Sequence, residues 1–307
     1  MTASLRGLSP ALIPPPKYLS RIRRVHRNVA NIESLIKLPI AHLIAEGYAR
    51  ISLPRLCGTV LCPTRAGFWL CLSQDTGNHV YHRGTYEEGT LDIIRRLLQP
   101  GDNFVDVGAS IGLMSLTASA AVGERGRVLA FEPTARRYLQ LKLAIEANQI
   151  TNITPFQLGL GSSAREIMIH HDRVSPSLVG EGSAEYAEKV KVEPLDTILS
   201  QQKISNIRMI KIDVEGFELE VLEGAHKLLT GSNAPAICIE HGVYNDDRNC
   251  PLERLLQLNA RYELFQLVRT KRDASALRHI KSIHLARRRD NVFCLLPAHC
   301  SELRIHN

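Results

Sequence analysis

From Asn103 to His241 the chain alternates short, mostly apolar runs with longer amphipathic ones. The apolar runs are Phe104–Val107, Val128–Phe131, Thr154–Leu158, Ile207–Ile212 and Ala236–Glu240. Runs this short and this apolar predict strands buried on both faces. Between them lie helix-length segments at Gly112–Ala121, Ala135–Asn148, Leu195–Gln202 and Leu219–Leu229. This alternation constrains the fold to a parallel α/β sheet with both faces covered, because parallel neighbours need crossover helices that bury their apolar stripes on the sheet. A helix over Glu87–Leu98 precedes the first strand, with Leu91, Ile94, Leu97 and Leu98 on one face and Pro100-Gly101 as its stop. Two late runs, Tyr262–Leu267 and Asn291–Leu296, suit an antiparallel pair at the sheet edge.

Ligands of open α/β sheets bind outside the carboxyl ends of the strands. The first strand runs into Asp106-Val-Gly-Ala-Ser-Ile-Gly112. Its glycines let the backbone approach a ligand closely, and the turn is expected to aim helix N–H groups at that ligand. The second strand ends in Glu132, placed to accept hydrogen bonds from a ribose. Two nucleoside cofactors compete for such a pattern. The dinucleotide fingerprint is G-x-G-x-x-G, whereas this loop is G-x-x-x-G and sets a side chain where a pyrophosphate needs bare backbone. Asp106 would repel a pyrophosphate and could hold the ammonium and sulfonium of S-adenosyl-L-methionine. The spacing therefore favours S-adenosyl-L-methionine over NAD, with Asp106, Gly108, Ala109, Ser110, Gly112 and Glu132 as the candidate cofactor residues. The bland alternative is a tight turn with Asp106 capping the helix. The third strand ends in Phe156-Gln-Leu-Gly159 without a carboxylate, so backbone near Leu158 and the Gln157 side chain are the candidates for adenine.

Two further strand tips carry polar side chains. Asp213 and Glu215 follow Ile210-Lys-Ile212, and in an extended segment they would share a direction. They could hold the methionine end of the cofactor, orient an acceptor hydroxyl or bind a cation; the competing reading is a helix N-terminus. Glu240-His241 ends the fifth strand. His241 or Asp213 could act as general base, with Glu240 orienting the base or touching the acceptor, and a hydrogen-bonded structural histidine is the alternative. His170 and His171 are expected on an edge loop without a catalytic role. No set of potential ligands has the spacing of a metal site.

With these pieces in place, the chain resembles the FkbM family of S-adenosylmethionine-dependent methyltransferases. The resemblance rests on Gly84-Thr-Tyr-Glu-Glu88, Phe104–Leu113, Ala130-Phe-Glu-Pro133, Asn148–Ile153, Pro194-Leu-Asp-Thr197, Ile210–Glu218, Val221–Ala225 and Ile237-Cys-Ile-Glu-His241, and runs from about Tyr81 to Pro297. Ser110 stands where the family usually has Asn. The resemblance implies a Rossmann-like, seven-stranded class I methyltransferase sheet with helices on both faces. It also implies O-methylation of a hydroxyl on a sugar, glycolipid or natural product. N- or O-methylation of a peptide or nucleic acid is the alternative within enzymes, and a cofactor-binding module without turnover is the alternative outside them.

The formal charge of +7 is unevenly placed. Six basic residues lie in 1–32 with no acid, and eight lie in 269–289 against Asp273, leaving 33–268 net acidic. The basic stretches read as solvated faces, or as contacts with an anionic partner. Aromatics at 5% argue against a nucleic-acid stacking surface, and the resemblance implies a small-molecule or glycan acceptor. Residues 17–49 carry apolar positions at roughly helical spacing among basic ones. They suit packing onto the body, with peripheral membrane contact as the alternative. Seven cysteines without C-x-x-C spacing argue for a reducing compartment, and neither a secretory apolar region nor a run of ~18 apolar residues is found, so a cytoplasmic protein is expected. The expected organisation is a Pro-rich, basic extension with a small β-rich cap over 1–82 and the methyltransferase domain over 83–307. Ser162–Glu188 reads as a Ser- and Gly-rich loop that could order on substrate binding. Oligomeric state is left open.

Overall fold

The computed structural model describes residues 60–73, 78–171, 176–177, 187–242, 250–272 and 274–305. The expected N-terminal helix over 17–49 lies outside the described residues. The chain divides into two units, Met1–Tyr86 and Glu87–Asn307.

In the first unit, β1 (Val60–Pro63) and β2 (Trp69–Leu72) form an antiparallel hairpin. Its loop closes through Thr64, whose hydroxyl accepts the Phe68 N–H at 3.1 Å, while Gly67 takes φ 89°. A short helix α1 (Asn78–Arg83) follows.

The second unit opens with α2 (Glu88–Leu97), β3 (Asn103–Val107), α3 (Leu113–Val122), β4 (Arg127–Phe131), α4 (Ala135–Ala147) and β5 (Ile153–Phe156). Next come β6 (Gly159–Leu160), β7 (Arg165–His171), β8 (Pro176–Ser177) and β9 (Ala187–Glu193). Then follow α5 (Leu195–Gln201), β10 (Met209–Ile212), α6 (Glu218–Gly224), α7 (His226–Thr230) and β11 (Ala236–His241). The unit closes with α8 (Pro251–Leu258), β12 (Glu263–Leu267), β13 (Leu277–His279), β14 (Asp290–Leu295) and α9 (Pro297–Leu303).

The main sheet has the order β13-β12-β14-β11-β10-β3-β4-β5. Strands β11, β10, β3, β4 and β5 run parallel, and β14, β12 and β13 are antiparallel additions. The expected Rossmann-like α/β sheet is therefore present, with one strand more than seven. The eighth is β13, three residues (Leu-Arg-His) at the far edge within the basic stretch. An edge strand this short and this polar has no apolar alternation to announce it. β3 and β4 bury Phe104, Val105, Val107, Val128, Leu129 and Phe131 almost completely, and Phe131 stacks on Phe156 with centroids 4.8 Å apart. Buried strands with few polar positions are what a sheet covered on both faces requires.

The chain leaves β3 for β4 and β5 on one side, then returns to β10 and β11 on the other. β3 is thus the point where strand order reverses, and the crevice beyond β3 and β10 is where a ligand of such a sheet binds.

The described residues of Ser162–Glu188 correct an expectation. Instead of one long loop, the described part pairs β7 antiparallel with β9 and β8, and β6 parallel with β9. Val190 and Val192 are buried while Lys189 and Lys191 are exposed, a two-residue alternation that a half-buried strand needs. His170 and His171 end β7 rather than lying on a loop. The expected helix Leu219–Leu229 is split at Ala225, where the backbone leaves helical geometry between α6 and α7.

Candidate functional site

The glycine loop is held by the strands beside it. Gly108 takes φ 79°, Ser110 φ 50° and Gly112 φ 93°, a run of left-handed residues that turns β3 into α3. Gly108 and Ala109 both donate their N–H to the Phe131 carbonyl, at 3.0 and 2.9 Å. The Ser110 N–H donates to Glu132 Oε2 at 2.9 Å, and the Gly112 N–H to the Ala109 carbonyl at 2.9 Å. These four loop donors are spent within the protein; the helix N–H groups at the start of α3, which the turn is expected to aim at a ligand, are not among them. A phosphate cradle needs such donors open. A loop that spends them suits a cofactor with no phosphate.

Glu132 ends β4 and is buried. Its Oε1 accepts the N–H and hydroxyl of Thr134 at 3.0 and 2.6 Å, and among the described residues Oε2 accepts only the Ser110 N–H. Burial pushes its pKa up against these hydrogen bonds. A carboxylate oxygen can accept two hydrogen bonds, so Oε2 retains capacity for a ribose hydroxyl. Gln157 and Leu158 lie just past β5, next to this tip, since the Glu132 N–H donates to the Phe156 carbonyl at 3.0 Å. Gln157 is exposed, while Leu158 packs against the core.

Asp106 is 1% exposed. Its Oδ2 accepts the Ser115 hydroxyl at 2.6 Å, so it ties β3 to the first turn of α3. It lies level with Lys211 on neighbouring β10, and burial raises its pKa against the lysine's pull. The capping reading of Asp106 is thus realised. Among the described residues none donates a hydrogen bond to its Oδ1.

Beyond β10 and β11 a charged cluster assembles. Lys211 is 3% exposed, with Nζ 2.8 Å from Asp213 Oδ2. Burial acts to lower its pKa, and Asp213, Glu87 and Asp106 together more than reverse that. Asp213 and Glu240 share a hydrogen bond. Two carboxylates in contact hold one proton between them. Asp213 stays ionised because Lys211 and Lys271 outweigh its burial. Glu240 is pushed up to about 7, first by burial and then by the Asp213 charge. Lys271 Nζ bonds Glu240 and lies 2.8 Å from Glu87 Oε1. Asp213 and Glu240 keep 25% and 17% of their side chains exposed against 4% for Lys211, so the carboxylates reach solvent with Lys211 behind them.

The other sequence candidates fare differently. Glu215 has φ 53° and Gly216 φ 103°, so the chain turns and Asp213 and Glu215 do not share a pleat. The helix-opening role there belongs to Glu218, whose Oε1 accepts the Gly216 N–H at 3.1 Å. His241 is buried, its Nδ1 has no partner among the described residues, and burial followed by the Arg288 charge lowers its pKa. Glu87, Lys211 and Lys271 were not read as site residues. Lys211 had a signal, a lysine inside an apolar strand. Lys271 was masked by the basic residues around it. Among the described residues no three side chains of His, Cys, Asp or Glu converge as a metal site, and no helix is long and apolar enough to cross a membrane.

A sheet reversing at β3, a glycine-rich turn closed on its own backbone and acidic strand tips are the features of a Rossmann-like methyltransferase. The chain belongs to the FkbM methyltransferase family, whose domain model matches residues 106–271. It is similar to the hexuronic acid methyltransferase AglP of Haloferax volcanii, 29% identical over 158 residues that cover 50% of this chain. The chain spans 64% of that relative's length. Among solved structures it is similar to an S-adenosylmethionine-dependent O-methyltransferase from Thermotoga maritima (13% identity, TM-score 0.38, 76% of each chain covered). Another is Aeropyrum pernix fibrillarin with bound S-adenosyl-L-methionine (11% identity, TM-score 0.38, 79% of this chain and 99% of that one covered). The residues fit S-adenosyl-L-methionine as methyl donor: Glu132 Oε2 has acceptor capacity for a ribose, four loop donors are closed to a phosphate, and the tips are acidic toward a cationic donor.

Proposed function

We propose that the protein transfers a methyl group to a hydroxyl oxygen of a sugar or a sugar-bearing acceptor, with Glu240 as the proton acceptor. The observation that carries this is the hydrogen-bonded pair of Asp213 and Glu240 at the mouth of the crevice, backed by Lys211 and Lys271. The hexuronic acid acceptor named for the Haloferax volcanii relative supports a sugar.

Bound S-adenosyl-L-methionine supplies an electrophilic methyl group whose carbon–sulfur bond breaks toward sulfur. The protein must then align the acceptor oxygen and take its proton. Alignment alone can supply several kcal/mol, roughly 7–11 at best. A group titrating at about 7 suits the proton transfer at neutral pH, because it is available as base yet releases the proton readily. Asp213 keeps its charge and holds Glu240 in place. Glu132 and the loop Gly108–Gly112 bind the nucleoside, with Asp106 as the support beneath them.

The test is transfer of label from methyl-labelled S-adenosyl-L-methionine to a panel of sugars, hexuronic acids first, by wild type and Glu240→Gln. Labelled methyl ether is expected, falling about 10²-fold or more in the variant and rising with pH through about 7 in wild type. Label found on nitrogen, on polypeptide or on RNA, or full activity in Glu240→Gln, overturns the reading.

A further inference from the structure

We propose that Lys271 is a positioning residue for methyl transfer: its ammonium, gripped by Glu87, fixes the Glu240 carboxylate against Asp213 and so prepares the proton acceptor. The inference rests on the reading of Glu240 given above.

Lys271 belongs to the stretch 269–289, whose basic residues look alike in sequence but not in structure. Arg287 is consumed by architecture. Its Nε lies 2.9 Å from Asp290 Oδ2, and its guanidinium donates to the carbonyls of Leu267 and Arg269. Lys271 is instead turned inward and is 9% exposed. Its backbone is pinned from two sides. Its N–H donates to Asp290 Oδ1 at 2.9 Å, and its carbonyl accepts the Gly89 N–H at 3.0 Å. With the main chain fixed at both groups, burial and the two carboxylates are what restrict its ammonium.

The other grip is equally fixed. Glu87 precedes α2 in a left-handed conformation, φ 51°, and its side chain is 1% exposed. Its Oε2 accepts Asn291 Nδ2 at 2.9 Å and the Thr90 hydroxyl at 3.3 Å, leaving Oε1 for Lys271. Neutral donors hold Glu87, Glu87 holds Lys271, and Lys271 holds Glu240. A lysine needed only to neutralise Glu87 would not reach a second carboxylate, and Asp213 already has Lys211.

The groups facing Glu240 are Asp213 and Lys211 from β10, and Lys271 from the β12–β13 connection with Glu87 behind it. Cys238 on β11 and Asp106 on β3 lie deeper, beside Lys211, and Asn291 stands opposite Glu240 on β14. In this set Lys271 opposes Asp213: one draws the Glu240 proton off and the other holds it on. Removing the Lys271 charge therefore strengthens proton binding at Glu240. Removing the Glu87 charge frees Lys271 to act on Glu240 alone and weakens it. Opposite shifts from two residues of one ion pair are not what loss of a merely structural contact produces.

The experiment titrates the full chain, labelled with ¹³C at glutamate carboxyls, by NMR, with Glu240→Gln assigning the resonance. Lys271→Met should raise the Glu240 midpoint by about one pH unit or more, Glu87→Gln should lower it, and Lys271→Arg should restore it. An unmoved midpoint in Lys271→Met, or shifts of the same sign in Lys271→Met and Glu87→Gln, overturns the proposal. If Lys271→Met does not fold, a Glu87→Gln midpoint that fails to fall overturns it. The titration needs no acceptor, so failure of the sugar reading, seen as absent label transfer in wild type, is distinguished from failure of this one.

Discussion

The carbonyl oxygen of Asp213 lies 1.9 Å from where a Cβ on Gly108 would stand. The two strand tips that frame the crevice are thus in backbone contact, and only the missing side chain allows it. The Asp213 N–H completes the junction by donating to the Val107 carbonyl at 3.1 Å. Gly108→Ala has no flexible neighbour to displace. It is expected to cost more than about 3 kcal/mol in chemical denaturation and to abolish S-adenosylhomocysteine binding by calorimetry. Gly101→Ala is the control. It has φ 97° with open space around it, so only backbone strain of about 1 kcal/mol is expected.

Ser110 holds φ 50° without being glycine. Asparagine tolerates that conformation better than serine does. Ser110→Asn is expected to raise stability by about 0.5 kcal/mol in the same denaturation experiment, leaving the N–H bond to Glu132 intact. A loss of stability would show that the Ser110 side chain is itself needed.

Lys211 is buried between Asp106 and Asp213. Lys211→Met takes the neighbouring cation from Asp106 and leaves Asp213 with Lys271 alone, which is expected to cost about 3–5 kcal/mol. Adding Asp213→Asn to that variant should recover part of the loss, because a charge that lost a cation goes with it. Additive losses in the double-mutant cycle would mean that the two groups do not interact.

His299 is 4% exposed in α9, and its Nδ1 accepts the Leu296 N–H at 3.1 Å. Burial, with Arg208 nearby, lowers its pKa to about 4 from the usual 6.5. Above pH 6.5 the imidazole is neutral in both folded and unfolded chains, and its contribution is fully present. As pH falls from 6.5 to about 4 the unfolded chain takes up the proton and the folded one does not, so stability is lost across that window, by up to about 3 kcal/mol. His299→Gln can keep the acceptor at this helix position and cannot titrate. Its melting temperature should therefore fall less than wild type's between pH 6.5 and 4. Equal slopes would place the imidazole in contact with water.

The sequence by itself determined the sheet and the cofactor edge. Apolar runs at Phe104–Val107 and Val128–Phe131 can only be strands covered on both faces. Gly108, Gly112 and Glu132 are local signals, since a turn needing φ > 0 and an acid at a strand tip are written in adjacent residues. The Val190/Val192 alternation was equally local and was obscured by the polar stretch before it. What the tertiary structure alone decided is the charge assignment at the site. Asp106, Asp213 and Glu240 are three similar acids in sequence. Only their spacing from Lys211 and Lys271 makes one a cap, one a fixed anion and one a group that titrates near neutrality. Glu87 and Lys271 come from distant segments and meet over a few ångströms, and electrostatic energy depends on that separation and on burial, neither of which a linear pattern carries.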